Sequence, residues 1–316
     1  MGDFLSQAVS ILEQRFLKNA FLPVLLFFPA VVAPFAISSG NLMNLVHKWD
    51  SQSGTLKLIE VAGYLAVVWF MAGILASQWR NILRLYEGYP LARYPLFDRA
   101  GKRWHRKQLV KLESVSPQTL DSQFFTYMAY PELADVLPTR LGNVLRAAEL
   151  YPRYRYDANE ILLWPRIYHI LPRELLADIR DARASLDFLL VVSLWCVGFA
   201  VGNPIVALLG HGSLTVAACT FTAGLLLGYL AYLSAIPAAA EYGAYLRTAF
   251  EAYRFDLLAR LRVPIPTNLA DERQRWRELC AFLLSGVWPD WEYEMAGPEP
   301  PVGSGDLQSS HGAHGA

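Results

Sequence analysis

The sequence predicts an all-α membrane protein with four transmembrane helices and a helical cytosolic domain inserted between the second and the third. Its 316 residues are 54% hydrophobic, with a mean hydropathy of +0.24. The apolar residues concentrate in uncharged runs, of which residues 188–240 carry no charged side chain unless His211 is protonated. A charged segment, residues 80–186, separates this run from the uncharged runs before it.

Residues 188–240 predict a transmembrane hairpin. A hydrocarbon core of roughly 30 Å takes about 20 helical residues, so residues 188–209 and 214–236 each fit one crossing. The string between them, Gly210-His211-Gly212-Ser213, suits a turn. Because unpaired backbone groups are costly inside a bilayer, two crossings joined by so short a turn are antiparallel.

Two further crossings are expected within residues 19–79. Residues 19–46 carry no charge and are long enough to cross with tilt, although three prolines break or kink a continuous helix there. A cleaved signal peptide is the alternative for this run, but the run exceeds the usual apolar segment of such a peptide. Residues 61–79 form the second crossing, and residues 47–60 form the loop between the two.

The segment before the first crossing, residues 1–18, predicts an amphipathic helix lying in the membrane interface. Its apolar side chains recur at helical spacing; they are Phe4, Leu5, Ala8, Leu12 and Phe16. A helix packed on the soluble domain is the alternative.

The distribution of lysine and arginine predicts the orientation. Residues 80–186 are rich in both, whereas the two loops on the other side hold Lys48, Lys57 and His211. The positive-inside rule then places both termini and the inserted domain in the cytoplasm. We therefore expect a multi-pass inner-membrane protein whose main partner is the lipid bilayer.

The cytosolic domain, residues 80–186, is predicted to be helical. We expect helices at about residues 79–86, 98–114, 139–150, 158–171 and 173–186, the last running unbroken into the third crossing. Gly88 ends the first, and Asp98 and Thr139 cap the next two. Pro165 interrupts the fourth. For residues 118–130 the sequence is compatible with either a short strand or a loop.

The hairpin residues 187–240 are followed by cytosolic C-terminal helices at residues 241–296. The fourth crossing keeps a helical pattern until two prolines at residues 263–266 break it, and Asn268 caps a last helix. Residues 297–316 are rich in Pro, Gly, Ser and His, so they cannot bury enough apolar area to become ordered.

The sequence lacks the motifs of common enzymes. No Walker loop, GxGxxG after a strand, GxSxG or HExxH occurs, and the histidines are scattered. We therefore expect neither catalysis, cofactor nor metal. The 28 Lys and Arg balance the 28 Asp and Glu, so no overall basic field points to nucleic acid. The predicted crossings hold no ionisable residue of the kind that ion-coupled transport uses.

A helix-packing motif lies in the fourth crossing. Gly224 and Gly228 form GxxxG, and small residues at this spacing let another helix approach closely. The partner is either a helix of the same chain or a second copy in a homo-oligomer.

The richest polar cluster lies at residues 138–149. On a helix, Asn143, Arg146 and Glu149 recur every three residues and share a face. Arginine forks and aromatic rings nearby suit an anionic ligand or a cytosolic protein partner. The candidate binding residues are Arg140, Asn143, Arg146, Glu149, Asp157, Trp164 and Arg166. A solvated face of a structural helix is the alternative.

Two strings carry a resemblance to a known set of proteins. They are PTRLGNVLRAAELYPRYRYDANEILLWPRI, residues 138–167, and YRFDLLARLRVPIPTNLADERQRWREL, residues 253–279. Both resemble segments of uncharacterised bacterial multi-pass membrane proteins with four spans. The resemblance implies a bacterial source and no catalytic role.

Taken together, these patterns favour a non-enzymatic membrane protein that senses or scaffolds through its cytosolic helices. An oligomeric ion channel or pore is the first alternative, and a membrane enzyme with an unrecognised site is the second. A channel requires a ring with a central pathway, which a sensor or scaffold does not.

Overall fold

The computed structural model describes residues 16, 20–27, 29, 42–114, 128–209, 213–287 and 291. Within these ranges every regular element is helical, which confirms the predicted all-α class. The α-helices of this part are α1 (Leu42–Ser51), α2 (Gly54–Ser77), α3 (Trp79–Glu87), α4 (Pro95–Glu113), α5 (Arg140–Glu149), α6 (Tyr151–Tyr156), α7 (Glu160–Tyr168), α8 (Arg173–Leu209), α9 (Leu214–Arg260) and α10 (Leu269–Ser285).

Three of these helices have the length and composition to cross a membrane. They are α2, the Arg173–Ile205 part of α8, and α9, with mean hydropathies of 2.0, 2.1 and 1.8 over their most apolar windows. They overlap the predicted second and third crossings at residues 61–79 and 188–209 and contain the predicted fourth crossing at residues 214–236. The helix predicted at residues 1–18 and the tail at residues 297–316 lie wholly or largely outside the described residues, and so does about half of the predicted first crossing at residues 19–46.

Residues 20–27, near the start of the predicted first crossing, are helical and lie against α2, whereas residues 42–46 at its other end belong to α1. The Tyr64 hydroxyl donates a hydrogen bond to the carbonyl oxygen of Leu25. A small apolar cluster joins the two segments through Ala20, Val24, Val68 and Ala72.

Residues 47–60, predicted as a loop, are mostly helical. Helix α1 ends at Ser51 and α2 begins at Gly54. The Ser53 hydroxyl accepts a hydrogen bond from the backbone N–H of Leu56 at 3.4 Å, so the second helix starts as soon as the first has ended. The prediction of a loop was wrong because it took the last charged residue, Glu60, as the boundary of the helix.

Helices α8 and α9 pack against each other through small residues. A Cβ atom on Gly224 would lie 2.8 Å from the Cβ of Ala200, so only glycine permits this approach. The Ser193 hydroxyl donates to the carbonyl oxygen of Gly228 at 2.8 Å. The GxxxG residues therefore face a helix of the same chain. The predicted turn at residues 210–212 lies outside the described residues.

Both helices of this pair are longer than a membrane is thick. Helix α8 has 37 residues and α9 has 47. At 1.5 Å per residue they measure about 55 Å and 70 Å, against roughly 30 Å of hydrocarbon core. The parts of α8 and α9 beyond the apolar stretches pack with α7 and α10 around a hydrophobic core. The buried side chains of this core include Leu163, Ile167, Ile179, Phe250, Leu258 and Trp276. Helices α3 and α5 cover the middle of the pair through Leu83, Leu141, Leu145, Leu186, Ile236 and Ala239.

Several predicted helix ends are confirmed by their capping residues. The Thr139 hydroxyl accepts from the N–H of Gly142 at 3.1 Å, and the Asn268 side chain accepts from the N–H of Asp271 at 3.0 Å. Gly88 ends α3 with a φ of 88°, a left-handed conformation that glycine adopts without strain.

Two helix predictions were wrong in detail. Helix α4 begins at Pro95, three residues before Asp98, because proline is already shaped for the first turn of a helix. Helix α7 continues through Pro165, which was expected to interrupt it. Leu163 and Ile167 are fully buried on either side of this proline, and their packing offsets the missing hydrogen bond.

Candidate functional site

The seven candidate binding residues are divided among several places. Asn143 is 1% exposed and serves the fold rather than a surface. Its amide nitrogen donates to the carbonyl oxygens of Leu137 at 3.0 Å and Thr139 at 2.9 Å, and its amide oxygen accepts from the N–H of Leu137 at 2.7 Å. The side chain thus ties the preceding loop to α5.

Arg146 and Glu149 belong to a polar network at the end of α5. One guanidinium nitrogen of Arg146 lies 3.4 Å from Asp135 and the other lies 3.9 Å from Glu149. Asp135 also accepts a hydrogen bond from the Tyr154 hydroxyl at 2.8 Å. The arginine therefore already has two carboxylate partners.

Arg146, Glu149 and Trp164 meet at one cleft, which we call the α5–α9 cleft. It has a volume of about 330 Å³. Helices α5 and α7 form one wall, and α9 forms the other. Its lining is mostly apolar and includes Ala148, Ile161, Leu163, Pro165, Tyr242, Leu246 and Phe250. Three of the seven predicted residues are thus brought together.

The other three candidates lie elsewhere. Arg140 lines a separate hollow beside Trp104 and Tyr130. Asp157 pairs with Arg277 at 2.8 Å on the surface.

Arg166 also lies outside the α5–α9 cleft, although it is on α7. Its guanidinium donates to the carbonyl oxygen of Leu162, one turn earlier in the same helix. An arginine that bonds its own helix in this way has part of its donor fork occupied.

The cleft also contains functional candidates that the sequence analysis missed. Tyr242, Leu246 and Phe250 follow each other at four-residue spacing on α9, so they share one face of that helix. This spacing is visible in the sequence, but which helix would cover the face is not. Glu160 contributes a second carboxylate; its Oε1 accepts from Arg153 at 3.0 Å. Its Oε2 has no hydrogen-bond partner among the described residues.

Burial and one neighbouring arginine set the electrostatics of the Glu149 carboxyl in the cleft. Burial raises the pKa of Glu149, and the nearby Arg146 guanidinium opposes that shift. Aromatic and aliphatic walls with a few polar groups are typical of small-ligand sites. Within the part of the chain that the structure describes, no group of three or more His, Cys, Asp and Glu side chains could hold a metal ion.

No protein-family model, curated protein or solved structure matches this chain. The resemblance to bacterial multi-pass membrane proteins stays a prediction.

Proposed function

We propose that this chain is a bacterial inner-membrane protein that acts without catalysis, as a ligand-responsive sensor or scaffold. In this proposal four helices cross the membrane, and both termini and the helices outside the spans lie in the cytoplasm. Three helices of suitable length and apolarity support it, together with the concentration of lysine and arginine in residues 80–186.

One observation carries the proposal. Tyr242, Leu246 and Phe250 line the α5–α9 cleft and lie on the same continuous helix as the apolar residues 214–236, with Pro237 between the two parts. A ligand that contacts these side chains therefore touches a helix that continues into the membrane past a proline, where one backbone hydrogen bond is missing. Such a connection transmits a change in position or stability of the cytosolic helices to the hairpin, as a sensor or scaffold requires.

The lining of the cleft indicates the chemistry of its ligand. The Trp164 and Phe250 rings and the aliphatic walls suit an aromatic or branched apolar body. At the rim, two carboxylates and one arginine that is already paired favour a polar or cationic group on the ligand. A strongly anionic ligand fits this cleft less well, since Arg140 and Arg166 do not line it.

The proposal is tested by thermal-shift screening of small amphipathic molecules against the detergent-solubilised full chain. A true ligand should stabilise wild type, and Trp164→Ala should weaken its apparent affinity by roughly tenfold or more, the loss of a large ring contact. Trp104→Ala is the matched control, because this half-exposed tryptophan lies outside the cleft.

A second pair of variants tests the polar rim. Arg146→Lys should weaken binding because lysine lacks the planar fork that holds Asp135 and Glu149 together, so Glu149 would no longer be fixed at the rim. Arg103→Lys on the exposed face of α4 should have no effect. The proposed ligand-binding site would be overturned if no compound of the library stabilised wild type, or if both tryptophan variants lost the same apparent affinity. Selective ion conduction by the reconstituted protein would favour the channel instead.

A further inference from the structure

A second cleft lies where two candidate spans end, and we call it the α3–α8 cleft. Its volume is about 580 Å³. Trp79, two residues after the end of α2, forms one side with the rest of α3. Arg183 forms the other side, four residues before Asp187, after which α8 is free of charge to its last residue. Both helices therefore place this cleft at the boundary between the apolar and polar parts of the molecule.

The cleft is rich in arginine. Arg80 and Arg84 lie one turn apart on α3 and line it together with Arg183. Arg80 and Arg84 are exposed and take part in no ion pair among the described residues. Both guanidinium groups are thus available to an anion.

Arg183 is held rigidly beside these two arginines. Its Nε donates to Asp187 at 3.0 Å, and its guanidinium carbon lies 4.6 Å from the centre of the Trp79 ring and 5.3 Å from that of Tyr242. Arg183 is therefore fixed in the wall of the cleft beside Arg80 and Arg84.

The acidic groups of the cleft do not neutralise this charge. Glu149 is paired with Arg146 at 3.9 Å. Glu87 is 6% exposed, and burial, followed by the charge of Glu149, raises its pKa to about 7. At neutral pH the Glu87 carboxyl therefore carries only part of a negative charge, which leaves Arg80 and Arg84 largely uncompensated.

We propose that the α3–α8 cleft binds the phosphate group of an anionic phospholipid, with Arg80, Arg84 and Arg183 as its contacts. Guanidinium groups bind phosphate oxygens through paired, charge-assisted hydrogen bonds. Basic pockets beside spans are suited to lipid headgroups, and a tryptophan such as Trp79 is favoured at the headgroup level. This site shares Glu149 with the lining of the α5–α9 cleft, but it does not depend on the ligand proposed there.

The test compares the full chain in nanodiscs of phosphatidylcholine with and without phosphatidylglycerol. Wild type should gain thermal stability as the anionic lipid is added. The variant with both Arg80→Gln and Arg84→Gln should bind roughly 25-fold more weakly, since each arginine near an anionic surface contributes about a fivefold factor. The matched control carries Arg99→Gln and Arg103→Gln, an exposed pair at the same spacing on α4, and should respond like wild type.

Three outcomes would overturn the proposal. An equal loss of stabilisation by phosphatidylglycerol in the test and control variants would mean that the anionic lipid is attracted to any basic surface of the protein. An unchanged melting temperature on adding phosphatidylglycerol would mean that no lipid site exists. Stabilisation by inorganic phosphate or glycerol 3-phosphate in pure phosphatidylcholine nanodiscs, without a further effect of phosphatidylglycerol, would assign the cleft to a free phosphate.

Discussion

Glu87 lies in an environment unlike that of an ordinary surface carboxylate, since it is 6% exposed. It ends α3 and is packed under α5, where a Cβ on Gly142 would lie 2.4 Å from the carbonyl oxygen of Glu87. Burial, then the charge of Glu149, raises its pKa, while Arg183, Arg84 and Arg146 oppose that shift. The folded state therefore holds a proton on this carboxyl that the unfolded chain releases.

This imbalance predicts a pH-dependent stability. The pKa of Glu87 rises from 4.5 in the unfolded chain to about 7 in the folded one, so its contribution is complete below 4.5 and is lost as the pH rises through 7. Replacing it by glutamine should remove that loss and stabilise the protein at pH 8 relative to wild type, by up to about 3 kcal/mol. Melting temperatures of wild type and Glu87→Gln between pH 4 and pH 8 check this.

A second buried group acts in the opposite direction and must be considered with the first. Burial lowers the pKa of His105 from 6.5 to about 4, so its contribution is lost as the pH falls through that range. In wild type the contributions of Glu87 and His105 to the free energy of unfolding largely offset each other between about pH 4.5 and 6.5. The loss of stability due to Glu87 should therefore be visible only above about pH 6.5. Glu113→Gln, on the exposed end of α4, is the control; parallel curves for both variants would contradict the role of Glu87.

At the scale of single residues, the sequence predicted which side chains share a helix face, but it did not predict which of them are buried. Asn143 was placed on a shared polar face with Arg146 and Glu149, and the spacing is helical as expected. The loop before α5 covers Asn143, because its amide provides partners for the backbone of Leu137 and Thr139. Periodicity shows which side chains share a face, but only tertiary structure shows which segment lies over it.

At the element scale, local signals decided which helix ends could be predicted. Thr139, Asn268 and Gly88 act through hydrogen bonds or backbone conformation within a few residues, so the sequence contained the necessary information. Pro165 misled, because the core contacts of α7 outweigh its local preference. The sequence predicted only part of the α5–α9 cleft. Its residues from α5 and α7 are close in sequence and were predicted together, whereas Tyr242 comes from far along the chain.

The glycines of the hairpin give a prediction at this scale. The variant with both Gly224→Ala and Gly228→Ala should separate α8 from α9, since the new Cβ atoms would lie 2.8 Å from Ala200 and 3.1 Å from Val197. The expected destabilisation is about 1 to 3 kcal/mol, the range for forcing extra carbon atoms into a close-packed contact. Thermal unfolding in detergent measures it.

The same hairpin offers a matched control for the glycine variant. Gly198 and Gly202 lie on α8, and a Cβ atom added to either would have no neighbouring atom within 4 Å, so alanine there should be tolerated. Equal melting temperatures for both double variants would show that the α8–α9 contact contributes nothing to stability.

At the scale of the whole molecule, the two clefts are neighbours with shared parts. Glu149 lines both of them, and Tyr242 lines the α5–α9 cleft while its ring faces Arg183 of the α3–α8 cleft. A lipid at one site and a ligand at the other would therefore act on Glu149 of α5 and on the contact between Tyr242 of α9 and Arg183 of α8. The proposed sensor or scaffold would respond to the membrane and to a small molecule through one pair of helices.

The arrangement of the helices predicts the topology. Helix α3, directly after α2, packs beside Ile236 and Ala239 in α9, so the C-terminal end of α2 lies level with the polar end of the hairpin. Helices α2 and α9 therefore run parallel, and we expect Ser53 and Ser213 at their N-terminal ends to lie on the same side of a membrane. Ser6 separates four spans from three: with four it lies opposite Ser53, and with three on the same side.

Cysteine labelling in intact cells checks this arrangement, using a variant in which Cys196, Cys219 and Cys280 are replaced by alanine. Single cysteines at Ser53 and Ser213 should react with an impermeant maleimide from outside. Cysteines at Ser6, Gln118 and Gln308 should react only after the membrane is opened, because the positive-inside rule keeps their segments in the cytoplasm. Labelling of Gln118 from outside would reverse the orientation, and labelling of Ser6 together with Ser53 would reduce the four spans to three.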